Sequence, residues 1–414
     1  MALSGIYAIG YRLMILWRRN LYILFGVQFL SLAGFSIVMP FLPLYIKELG
    51  VVTGGSIAFW SGMVFSSQAV AMMISAPIWG VIADRYGRKL MLVRASLGGA
   101  ILLAAMGFAQ NAEQLTLLRF LQGFVTGTVP AASALVAATA PKERTGEALG
   151  LIQMGVWGGI AIGPLIGGII SDTLGFRECF WVTGSLLALS GIAVIFWVHE
   201  DFKPIKESKR PKLLAGFRSL LIAPGMIPLY AVAFLQSMGR TLVLPIAALF
   251  VMELMGAVPG VATMTGIALG ARAVTGSLSA IGLGKLGDRI GHSKTLFGAF
   301  IAGVICYIPQ PFVRDAWQLV ILQALTGLAD GGILTGIGAL MNLRTPSGTQ
   351  GTTFGLYASV NSAGRCVAPM LAAGLAIWFG LRSVFGATAV TYAIAALLAL
   401  YIKRSDEVPA FSLL

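Results

Sequence analysis

Charge is scarce in this chain, and histidine and cysteine are scarcer. Only 11% of its 414 residues are charged, 16 residues are acidic, and there are two histidines and three cysteines. Each shortage excludes something. So few charged groups beside 57% hydrophobic residues cannot cover the surface of a water-soluble protein of this length. His199 and His292 fall at the ends of apolar runs, so neither a buried Ser–His pair nor a histidine-based zinc site is available inside them, and an enzyme of those kinds is disfavoured. Cys179, Cys306 and Cys366 are far apart and form neither a disulfide framework nor a metal-site spacing. No G-x-x-x-x-G-K-[ST] loop is present, which disfavours an ATP-driven pump. The N-terminal tail has no convincing small-residue cleavage site, so it reads as retained, an amphipathic segment on the inner leaflet.

What is abundant is the long apolar run. A helix needs about 20 mainly apolar residues to cross a bilayer. Gly, Pro and charge divide the sequence into twelve such spans, near 20–46, 54–82, 89–109, 114–139, 145–171, 176–197, 226–253, 260–284, 293–312, 317–342, 350–377 and 381–403. The runs are continuous rather than alternating, which favours helices over barrel strands. The expected fold class is an all-α membrane protein of twelve helices.

The net charge of +13 invites a nucleic-acid reading, but the placement of the basic residues argues against it. Most of the 29 lie in the tails and even-numbered connections, led by Lys203, Lys206, Lys209, Arg210, Lys212 and Arg218, whereas Lys47, Arg177, Arg314 and Arg382 mark the odd-numbered ones. That bias places both termini in the cytoplasm. Arg94, Arg119, Arg240, Arg272 and Arg365 fall within the spans.

The polar run "HEDFKPIKESKRPK", residues 199 to 212, divides the chain into a six-helix bundle at 1–198, a cytoplasmic linker at 199–220 and a second bundle at 221–414. Sliding one half over the other by 204 or 205 positions aligns Gly62 with Gly266, Gly80 with Gly284, Asp84 with Asp288, Arg85 with Arg289, Gly87 with Gly291, Pro40 with Pro245 and Pro164 with Pro369. A duplicated six-helix unit of this kind is an architecture of secondary transporters, whose substrate site lies between the halves near the midplane.

"GVIADRYGRK" and its weaker copy "GKLGDRIGHSK" resemble the cytoplasmic signature of the major facilitator superfamily, and the resemblance runs over essentially the whole chain, most closely to bacterial multidrug efflux proteins of the drug:proton antiporter branch. It implies a conformational latch of Gly80, Asp84, Arg85, Gly87, Arg88, Asp288 and Arg289, with the Asp84 carboxylate meeting the positive end of helix 11 in the outward-facing state. The plainer alternative is that the basic members only obey the positive-inside rule. In "GLIQMGVWGGIAIGPLIGG", residues 150 to 168, the spacing of Gly150, Gly159, Gly163, Pro164, Gly167 and Gly168 resembles the family's antiporter signature. Small residues four apart allow close helix approach, and Pro164 suits a hinge; ordinary small-residue packing is the alternative.

Asp330 is the one acidic residue near the middle of a span, a depth at which an ionisable group is a functional hypothesis by default. Arg240, Arg272 and Arg365 fall near the midpoints of spans 7, 8 and 11, so one Asp among three arginines forms a constellation. Burial opposes the charge on Asp330 and a guanidinium favours it, so a change of surroundings would load or release a proton. A permanent pair that fixes helix packing is the alternative. Arg119, in "LRFLQG", resembles the family's fourth-helix arginine, which implies proton transfer; on position alone an anchor near the outer end of span 4 explains it equally. Asp330, Arg119 and Arg365 are the expected proton-coupling residues.

Arg240, Arg272, Gln236, Gln323, Trp157, Tyr357 and Asn361 are candidates for the substrate cavity, with Phe35, Phe65, Phe234 and Gln153 beside them. A net positive midplane suits anionic or zwitterionic amphiphiles better than lipophilic cations. The expectation is a proton antiporter of a bacterial inner membrane that exports small amphiphilic compounds, with a specific metabolite exporter or an uncoupled facilitator as alternatives. No cofactor or metal is expected; the proton gradient supplies the energy, the partners are substrate, protons and lipid, and one chain with both halves should act as a monomer.

Overall fold

The computed structural model describes residues 2–139, 141, 144–200, 225–256, 258–345 and 350–407. Most of the expected linker lies outside them. Span 1 is Ala2–Val38 continued by Leu42–Leu49, span 2 Ile57–Tyr86, span 3 Arg88–Met106 and span 4 Ala112–Val125 with Thr128–Thr139. Span 5 is Thr145–Thr173, span 6 Phe176–Trp197, and span 7 Met226–Leu242 with Ala247–Met255. Spans 8 to 12 are Val261–Ile290, His292–Tyr307, Ala316–Arg344, Gln350–Phe379 and Arg382–Glu407. Eleven of these are long and apolar enough to cross a membrane as they stand. The twelfth, span 4, is divided.

Its division has a local cause. Pro130 has no N–H for the carbonyl of Thr126, and Gly127 takes φ +136°, a conformation few other residues adopt. Neighbouring spans satisfy the carbonyls around the break: Trp79 Nε1 donates to Phe124 O at 2.7 Å and Gln28 Nε2 to Thr128 O at 3.1 Å. Spans 1 and 7 break at matching places, around Pro40 and Pro245. The N-terminal residues are continuous with span 1: the helix runs unbroken from Ala2 to Val38, with no proline before Pro40 to stop it.

Each half has its own core. Phe250, Phe300, Tyr307, Phe385 and Tyr392 anchor the second bundle, and Tyr45, Phe180 and Leu187 the first. Among the described residues, contacts between the bundles run from the midplane to the side away from the basic residues. Phe41 and Leu44 join the core of the second bundle, Lys47 Nζ lies 3.3 Å from Met252 Sδ, and Ser66 Oγ donates to Cys366 O at 2.9 Å. The core on the basic side of the first bundle, around Leu24, Leu92 and Ile152, contains no residue of the second.

Candidate functional site

At the middle of the second bundle, span 10 places Asp330 against span 8. Arg272 Nε donates to Asp330 Oδ2 at 2.8 Å, and Tyr392 Oη, from span 12, donates to Asp330 Oδ1 at 2.9 Å. Asp330 and Arg272 are both buried. Arg272 also reaches Gln323 Oε1 at 3.4 Å, Gln323 donates to Gln310 Oε1 at 3.0 Å, and Gln310 donates to Thr326 Oγ1 at 3.1 Å. Tyr307 closes the cluster, its ring 5.7 Å from the Arg272 guanidinium and 5.2 Å from the Tyr392 ring. A charge pair in a low dielectric survives only with its remaining oxygens and protons occupied, which this network does for both carboxylate oxygens.

Two expectations need correction here. Asp330 does not stand among three arginines: it pairs with Arg272 alone, because its carboxylate is turned toward spans 8 and 12. Gln323 and Gln236 do not line an open cavity, being 1% and 4% exposed; Gln323 is turned inward to Arg272 and Gln310.

The first bundle holds a rearranged copy. A register of 204 places Gln68 on Arg272 and Arg119 on Gln323, so the arginine and the glutamine have exchanged helices. Arg119 Nη1 donates to Gln122 Oε1 at 2.9 Å and to Gln68 Oε1 at 3.4 Å. No carboxylate joins them: Asp330 corresponds to Thr126, at the break in span 4. Arg119 is 1% exposed, which excludes the surface-anchor alternative; its neighbours are Gln68, Gln122 and Met39, not lipid headgroups.

Arg240 and Arg365 occupy a third place. The Arg240 guanidinium lies 5.2 Å from the Trp157 ring, a contact between bundles at the midplane. Arg365 is exposed and donates to Ser362 Oγ at 3.1 Å. The two like charges repel each other, and both act on the Tyr357 hydroxyl. Among the described residues neither has an acidic partner. Tyr357, Asn361 and Phe234 are half-buried around them and Gln153 is exposed, whereas Phe65 is buried in the first bundle and Phe35 packs against the same core.

The glycines of span 5 divide between two neighbours. Gly159, Gly163 and Gly167 meet the backbone of span 1 so closely that an added Cβ would strike Phe29 O, Ala33 O and Ile37 O. Pro164 and Gly168 face span 8 instead, against Gly266 and Thr263. Gly150 has no neighbour within 4 Å of a Cβ and takes no part in either contact. The second bundle repeats the plan, with Gly364 against Phe234 O of span 7 and Pro369 O against Gly62 of span 2.

At the basic side, Gly87 takes φ +100° and Gly291 φ +99°, turning spans 2 and 8 tightly into spans 3 and 9. Glu200, at the end of span 6, accepts the N–H groups of Arg88 at 3.1 Å and Lys89 at 2.7 Å and so caps span 3. Asp288 Oδ1 lies 3.2 Å from His292 Nε2, while Arg85 and Arg289 are exposed. The surroundings of Gly80 and the Asp84 side chain lie outside the described residues.

The family model of the Major Facilitator Superfamily matches residues 24–257 and 229–412. The chain belongs to that family and is a multi-pass membrane transporter. It is 38% identical over 373 residues to the multidrug resistance protein MdtG of Salmonella dublin, covering 90% of this chain and 92% of that one, and matches MdtG of Citrobacter koseri to the same extent. Its fold resembles a bacterial homolog of the human lysosomal transporter Spinster, solved inward-facing and unoccupied, with TM-score 0.77, 16% identity and coverage of 95% and 99%. It also resembles the human organic anion transporter MFSD10, with TM-score 0.66, 16% identity and coverage of 92% and 99%.

Proposed function

We propose that this protein is a proton-coupled antiporter that exports amphiphilic compounds by alternating access across a bacterial inner membrane, with both termini in the cytoplasm. Its relatives' name, multidrug resistance protein, supports the export of several compounds. Basic residues at the termini side support the orientation. The bundles are joined on the opposite side, which supports reading this as the inward-open state, with the midplane reached from the cytoplasm. The latch of Asp84 with helix 11 belongs to the other state.

The observation that carries proton coupling is the Asp330–Arg272 pair. A proton arriving at Asp330 removes the charge that holds Arg272 Nε and leaves Tyr392 and Gln323 to re-form their bonds. The pair therefore has two arrangements that differ by one proton. Arg119, with no acid beside it, acts as a fixed charge in this reading.

Arg240 and Arg365 are the substrate charges, and Trp157 the surface on which an amphiphile rests. An anionic or zwitterionic compound neutralises the two guanidiniums on binding, and each charge-assisted hydrogen bond contributes about 1.5–3 kcal/mol. A lipophilic cation meets repulsion at the same place.

A second reading is an uncoupled facilitator, and it is supported by the satisfied state of Asp330: both oxygens are bonded, as in a structural pair. Proteoliposomes with an imposed pH gradient separate the two. Coupled antiport gives proton flux on adding anilinonaphthalene sulfonate, less on adding tetraphenylphosphonium, and none in Asp330→Asn. Probe movement without proton flux in wild type supports the facilitator.

A further inference from the structure

The seam between spans 5 and 8 contains a carboxylate that none of these roles uses. Asp172 Oδ2 accepts the backbone N–H of Thr263 at 2.7 Å. Thr263 is the third residue of the helix that begins at Val261, and the residue before that helix is Gly260, at φ +98°, which makes no side-chain cap. Glycine has no oxygen for the first-turn amides, so the cap comes from the other bundle.

The internal repeat provides the comparison. In the register of 204, Gly260 corresponds to Ser56 and Thr263 to Phe59. Ser56 Oγ accepts the N–H of Phe59 at 3.1 Å, so span 2 caps itself. Asp172 itself corresponds, at 205, to Ile377 of span 11, which has no acceptor to offer span 2. One seam is thus self-capped and the other is capped in trans. One and two turns away, Gly168 and Pro164 bring the span 5 backbone against Thr263 and Gly266, and this closeness is what lets so short a side chain reach across.

We propose that Asp172 is an outer latch, a positioning residue that supplies the cap of span 8 while the outer side is shut and withdraws it when that side opens. The carboxylate also sits at the positive end of the span 8 dipole, so the bond is charge-assisted. Opening leaves the Thr263 amide to water alone. Ser56 carries no such dependence, because its cap moves with span 2. The proposal rests on the alternating-access reading.

The test uses spin labels at Leu174 and Phe312, exposed on the outer side of opposite bundles, in full-length protein with Cys179, Cys306 and Cys366 replaced and reconstituted into liposomes. Loss of a helix cap raises the outward-open population in Asp172→Ala by about two- to thirty-fold, the range that cap substitutions span. Asp172→Asn, which keeps an acceptor and loses the charge, raises it by less. Ser56→Ala lowers the melting temperature and leaves the distribution in place. A wild-type distribution in either folded Asp172 variant overturns the latch. A wild type confined to one separation, with and without anilinonaphthalene sulfonate, overturns alternating access itself, so the two failures are distinct.

Discussion

Arg272 and Asp330 are bonded at 2.8 Å, and each is the only group of opposite charge within the other's reach among the described residues. Removing one partner therefore strands the other. Arg272→Gln is expected to destabilise the protein by about 3–5 kcal/mol, the usual cost of breaking a buried pair from one side. The double variant Arg272→Gln with Asp330→Asn should recover much of that loss. Thermal unfolding in detergent checks both, and a double variant no more stable than Arg272→Gln would refute the pairing.

The span 5 glycines make contrasting predictions. Gly163→Ala would force Cβ into Ser36 and Ala33 O, so spans 1 and 5 must separate, at about 1–3 kcal/mol for such overpacking. Gly150→Ala meets nothing and gains helix propensity, up to about 1 kcal/mol. Yields of monodisperse protein and melting temperatures should fall for the first and hold or rise for the second.

Glu200 caps span 3 just after the Gly87 turn, and Asp84 stands three residues before that turn in the sequence. Glu200→Gln keeps an acceptor but loses the charge at the start of span 3, and is expected to lower stability by about 1 kcal/mol. Asp84→Asn is expected to slow transport while the protein still inserts, as the proposed latch requires. Transport rates equal to wild type in Asp84→Asn would remove Asp84 from the cycle.

Glu113 ties the first outer loop to span 4. Its carboxylate accepts from Thr53 N and Thr53 Oγ1, both at 2.8 Å, and from Val52 N at 3.0 Å. The Thr53 backbone bond above all holds its pKa below the usual glutamate value. A depressed carboxylate stabilises the fold above its unfolded-state pKa and ceases to as pH falls through the folded one. Protection factors for amide exchange at residues 50–55 should accordingly be high at neutral pH and fall only below the ordinary glutamate range. In Glu113→Gln that fall with acid should disappear.

Much of this was legible in the sequence, for identifiable reasons. Span lengths follow from apolar runs and the repeat from Gly and Pro positions, and so twelve spans and two bundles could be read directly. Asp330 was visible because an acid at mid-depth is costly and must be either paired or functional. Its partner was not, since depth along a helix says nothing of azimuth: Arg240, Arg272 and Arg365 share a level, and only the rotation of each span separates them. Tyr392 reads as a packing aromatic until span 12 is docked. The exchange of Gln68 and Arg119 against Arg272 and Gln323 was present in the register, but glutamine at mid-span attracts little notice. Asp172 and Glu200 read as solvated acids at helix ends, and their value comes only from which amide each one meets.

The break in the repeat that replaces Asp330 with Thr126 has an electrical consequence. With one acid at mid-depth, the proposed cycle brings one proton inward for each turnover, and a monoanion leaving outward moves charge in the same sense. Two elementary charges then cross with the membrane potential rather than against it, about 4.6 kcal/mol at 100 mV. A cell with a small pH difference but an intact voltage would still drive export of an anion, whereas a neutral zwitterion would receive half that drive.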